Sequence, residues 1–99
     1  MSFFNVKIVN EDESIFINTL PEVYGFFVDC FLKKLPENHK QSDYIFNQAI
    51  GFPSPKGQCY EVSYKKTDYD NYNRRTYTAY MECHIDKSGA FVLDVFDLG

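Results

Sequence analysis

The sequence predicts an α+β domain in which a mostly antiparallel, twisted sheet carries one long and one short helix on one face. Three observations carry this reading. Two alternating segments between Arg74 and Leu98 flank the turn Asp86-Lys87-Ser88-Gly89, a helical stripe opens near Leu20 and is closed by Pro36, and further short alternating runs are separated by polar turns. The expected element order is ββααβββ, in a single domain covering residues 1–99.

At the start of the chain, Phe4, Val6 and Ile8 alternate with Phe3, Asn5 and Lys7, which reads as a strand. Asn10-Glu11-Asp12-Glu13 is a polar turn, and Ser14 to Asn18 returns as a second strand to complete an N-terminal hairpin. Thr19 then stands where an N-cap hydroxyl belongs, Pro21 falls in the first turn, and Glu22 completes the capping-box spacing. The helix is expected to reach Leu35. Its stripe is Leu20, Tyr24, Phe27, Val28, Phe31 and Leu35, widened by Val23 and Cys30, and Phe26 falls on the polar side as a candidate contact residue.

Ser42 is positioned to cap a short second helix over Asp43 to Ile50 that ends at Gly51, and Phe52 to Gly57 reads as a rigid loop. From Gln58 to Lys66 alternation resumes, with Tyr60, Val62 and Tyr64 buried and Cys59, Glu61, Ser63 and Lys65 outside. Thr67 to Asn73, rich in Tyr, Asp and Asn, is expected to be a long exposed loop. The last two strands turn one buried face to the core, formed by Tyr77, Ala79, Met81, Cys83 and Ile85 of the first strand and Phe91, Leu93 and Val95 of the second, with Val92, Asp94 and Phe96 opposite. With Gly89 in the left-handed region, Asp86 pairs with Ala90, Cys83 with Leu93, and Glu82 with Asp94.

Composition narrows the function. Hydrophobic residues make up 44% and aromatics 18% of the chain, including ten Phe and eight Tyr, so it is too apolar to stay disordered. The net charge of −4 argues against direct nucleic-acid binding and against anionic membranes, both of which need an excess of Lys and Arg. No stretch reaches the length of a membrane span, and the first residues show neither a basic region nor an apolar run of the secretory type. Three widely spaced cysteines, Cys30, Cys59 and Cys83, form neither a disulfide framework nor a zinc pattern, and free thiols in the cytoplasm are expected.

The residues that carry chemistry sit on the face expected to point away from the helices. Glu61, Glu82 and Asp94 interleave with Tyr80, His84 and Phe96, and Asp68, Tyr69, Asp70 and Tyr72 extend the same acidic and aromatic character into the loop. Rigid aromatics give contact area at low entropic cost, and acids steer a basic protein partner. Cys83 and His84 are strand neighbours on opposite faces, so they form no nucleophile–base pair, and Gly-rich phosphate loops and His-x-x-x-His are absent. No catalytic residue, metal or cofactor is expected. The reading is of a small protein-binding inhibitor of the immunity or anti-defence kind, acting on a basic, nucleic-acid-handling target. The alternative is a structural or regulatory subunit that forms a homodimer through the uncovered sheet face or an edge strand.

Overall fold

The computed structural model describes residues 12–70 and 72–99. Among these residues two helices precede four strands. They are α1 (Glu13–Thr19), α2 (Pro21–Lys34), β1 (Ile45–Ser54), β2 (Gly57–Asp70), β3 (Asn73–Ile85) and β4 (Phe91–Leu98), with a single 3-10 turn at Gln41–Asp43. The strands form one antiparallel sheet in the order β1-β2-β3-β4, each joined to the next by a hairpin. The α+β class holds, and the order ββααβββ does not. The strand expected at residues 3–9 and the turn residues Asn10 and Glu11 lie outside the described residues.

The helix α2 follows from its sequence. Val23, Phe27 and Phe31 recur at four-residue spacing on one side and are the buried residues of the helix. Each such burial is worth about 1.5–3 kcal/mol. They meet Val62, Tyr64, Ala79, Met81 and Cys83 of the sheet, all buried. Phe31 lies edge-on to Tyr44 at 5.1 Å and tilted against Tyr64 at 5.3 Å, which ties the helix to the central strands. Burial also pushes the Cys83 thiol up to about 12, so this cysteine behaves as a small apolar side chain. All three cysteines are free.

Two segments differ in kind from expectation. Ser14–Asn18 is helical, because the Asp12 carboxylate accepts from the backbone N–H and hydroxyl of Ser14 and opens a helix there. Thr19 therefore ends α1 and caps nothing. Leu20 serves as the joint, its N–H donating back to Phe16 and its carbonyl accepting from Tyr24. The segment expected as a short helix, Asp43–Ile50, is instead the 3-10 turn followed by β1. β1 skips one residue at Asn47, between the pairs Phe46–Tyr64 and Gln48–Ser63, and this bulge hides its alternation. Strand structure continues through Pro53, which is tolerated on an edge strand, so the rigid loop shrinks to the turn at Pro55 and Lys56.

Two further differences shape the surface. The expected loop over Thr67–Asn73 is a continuation of the β2–β3 ladder as far as the pair Asp70–Asn73. The result is a two-stranded arm projecting beyond the helices, and the described residues span 54 Å in their longest direction. In β4 a bulge inserts one extra residue between the pairs Cys83–Leu93 and Glu82–Val95. A one-residue slip reverses the facing of every residue beyond it. Phe96 therefore packs toward the core and Val95 faces out, 37% exposed, the reverse of expectation. The hairpin turn itself matches expectation, with Gly89 at φ 87°, Asp86 bonded to Ala90 and Cys83 opposite Leu93.

Candidate interaction surface

Strand pairing sorts the face turned away from the helices into rows. One row runs Phe52–Cys59–His84–Val92, the next Ile50–Glu61–Glu82–Val95, and the next Gln48–Ser63–Tyr80–Asp97. A fourth is Ile45–Lys65–Thr78, and along the arm follow Thr67–Thr76 and Tyr69–Arg74.

The pairing of Glu82 with Asp94 does not occur, because the β4 bulge sets Val95 there. Glu82 instead stands directly opposite Glu61. Two carboxylates in register repel, and Tyr80 moderates the repulsion by donating its hydroxyl to Glu61 Oε2 at 2.5 Å. Burial together with the carboxylates of Glu61 and Glu82 drives the Tyr80 phenol well above its ordinary range, so its proton stays in place.

Asp94 sits at the bulge with a different partner set. His84 Nδ1 donates to its carboxylate at 2.8 Å, and Lys56 Nζ lies 3.6 Å away. Burial works against the charged carboxylate, but the hydrogen bond and charge of His84, supported by Lys56, outweigh it and hold Asp94 below the usual carboxylate range. A depressed folded-state value stabilises the fold above the unfolded value of about 3.9, and that contribution fades as pH falls through the folded value. The thermal midpoint of wild type should therefore exceed that of Asp94→Asn above about pH 4, with the gap closing in more acidic solution. A gap that widens on acidification would contradict this assignment.

Between the acid row and the β1–β2 turn lies a shallow hollow of about 280 Å³, bounded by Phe52, Ser54, Pro55, Lys56, Cys59, Glu82, Asp94 and Val95. Cys59 and Ser63, expected outside, are buried on this face. Cys59 Sγ is 3.0 Å from Ser54 Oγ, and Asn47 at the β1 bulge donates to Ser63 Oγ at 2.9 Å. Cys59 is the cross-strand neighbour of His84, but its sulfur is engaged by the turn and no hydrogen bond joins it to the imidazole. Among the described residues no group of three or more His, Cys, Asp or Glu is arranged to hold a metal ion.

The expected contact residues thus divide. Glu61, Tyr80, Glu82, His84 and Asp94 share one face. Phe96 is on the opposite one, and Phe26 is stacked on Phe91 of β4 at 5.2 Å, which removes both from the surface set. On the arm, Tyr69 shares the acid-bearing face and is 78% exposed, while Tyr72 at the tip is 99% exposed. Asp68 and Asp70 alternate onto the other side of β2, where Asp68 lies 3.5 Å from Lys66 and opposite Arg75. Arg75 in turn covers the Tyr77 ring at 4.4 Å. Asp97 was missed from sequence. It reaches the acidic face only because of the bulge, which simple alternation does not reveal.

The chain is thus an α+β domain with a half-covered antiparallel sheet and a projecting hairpin arm. Comparison with known protein families, curated proteins and solved structures gave no match.

Proposed function

We propose that this domain is a small protein-binding inhibitor, of the immunity or anti-defence kind, that docks its acidic sheet face on a basic partner whose own task is to handle nucleic acid. The observation that carries the reading is the in-register pair Glu61–Glu82. A sheet that only needed to fold gains nothing from opposed carboxylates, and these two make no salt bridge among the described residues. Held on rigid strands, they offer fixed negative charge with little entropy left to lose on binding. In the adjoining hollow Lys56 is turned to Asp94, which leaves Glu82 to meet a partner's Lys or Arg whose aliphatic stem would lie along Phe52 and Val95. A surface built to take phosphates is the natural complement of such a face.

The test is capture from a native-host lysate with wild type and with the double reversal Glu61→Lys/Glu82→Lys, at low and high salt. The captured partner is expected to be basic, to be released by salt, to lose its nucleic-acid activity when the domain is added, and to be lost with the double variant. A partner held equally by both proteins, or one whose activity is unaffected, would remove this reading.

A further inference from the structure

The outer face is acidic at its body end and carries a single cation, Arg74, on the row equally far out along the arm. Glu61 and Glu82 stand at the body end, Lys65 lies on the row where the arm begins and Arg74 lies out on the arm, and neither cation makes an ion pair among the described residues. The spacing is symmetric about one row. Glu61 and Tyr69 are each four residues from Lys65 on β2, and Glu82 and Arg74 are each four residues from Thr78 on β3, about 13 Å in either direction at the rise of a strand. The row they flank is Ile45–Lys65–Thr78, and its Ile45 is 74% exposed.

We propose that two copies of this chain pack outer face to outer face about a two-fold axis that crosses the strands at this row. The rotation lays each copy's arm along the other's acidic rows. Arg74 comes over Glu82, Tyr69 comes over Glu61 with its hydroxyl free to donate, and Ile45 meets its own symmetry mate. This is an isologous interface, in which each contact occurs twice. An axis parallel to the strands between β2 and β3 would instead set Glu61 of one copy on Glu82 of the other and leave Arg74 without an acid. Lys65 faces its counterpart near the axis, a cost kept small by a flexible stem whose charge remains in water. Only the two-stranded arm overlaps each body, so the interface is smaller than the roughly 800 Å² per partner of a standard one. The dimer is therefore weak and salt-sensitive. It also occupies the face assigned above to a basic partner, so partner and second copy compete. The dimer itself does not depend on that assignment.

Sedimentation over roughly a hundredfold range of concentration, at low and high salt, tests the proposal. At low salt the mass should rise from 11.6 kDa toward twice that value. Arg74→Glu alone and Glu82→Arg alone should each weaken association by at least ~10-fold, and the combined variant, which re-forms the pair with the charges exchanged, should recover most of it. A protein monomeric throughout, a dimer indifferent to both single reversals, or a combined variant no better than the singles would each overturn it. Arg74 lies outside the acid pair, so Arg74→Glu separates the two readings. Loss of the dimer with capture of the basic partner intact is the expected result. A dimer that behaves as described while no basic partner is ever captured would remove the inhibitor reading alone.

Discussion

Replacing Phe31 by alanine is expected to lower the unfolding free energy by about 3–5 kcal/mol, the cost typical of emptying a buried aromatic site. The ring is 1% exposed and wedged between Tyr44 and Tyr64. Neither tyrosine is free to fall into the space. The Tyr44 hydroxyl is 2.7 Å from His39 Nδ1, and the Tyr64 hydroxyl donates to Glu13 at 2.6 Å, which also ties α1 to β2. The cavity should therefore persist. Against a typical total stability of about 5–15 kcal/mol, the loss is about a fifth or more. Urea titration is the measurement, with Leu32→Ala on the same helix as control. Leu32 is 56% exposed, and its truncation should shift the midpoint by no more than about 0.5 kcal/mol in equivalent stability. Equal effects at the two positions would mean that α2 does not pack as described.

The second large effect is a contrast of sign between two glycines. Gly57, which starts β2, has φ 123°, and an added Cβ would stand 3.0 Å from the backbone carbonyl oxygen of Ile85. A carbonyl held in a sheet yields little, so Gly57→Ala should cost on the order of 1–3 kcal/mol. Gly25 lies within α2 with open space around its missing Cβ. There alanine restores helix propensity and should stabilise by about 0.5–1 kcal/mol. Thermal or urea midpoints that move in the same direction for both variants would contradict the local geometry of one site or the other.

The parts of the fold legible in the sequence are those where local chemistry and burial agree. The β3–β4 turn was readable because Asp86 Oδ1 accepts from the backbone of Ser88 and Ala90, and Gly89 supplies the left-handed residue. α2 was readable because its buried stripe is long and Pro36 stops it. In α1 a short helix buries Phe16 while Ile15 and Ile17 remain exposed, and that pattern has the period of a strand. In β1 the bulge at Asn47 breaks the alternation, while Ser42 and Gly51 imitate the two ends of a helix. The arm escaped notice because its outer residues are exposed on both sides, so hydrophobic periodicity has nothing to report. Of the site, the acids of β2 and β3 were placed on the correct face, but their true opposition, Glu61 to Glu82, and the contribution of Asp97 depend on registers that only the paired strands reveal.

The two irregular residues, at Asn47 in β1 and at Asp94 in β4, lie on the two outermost strands of the sheet. An outermost strand carries a line of unspent amides and carbonyls, an open invitation for another chain to add itself and keep adding. A local kink and extra twist interrupt that line, and Pro53 withholds one donor from it. Open-ended strand addition is thereby disfavoured on both flanks. For a chain so rich in Phe and Tyr, these interruptions are a safeguard against fibrous growth.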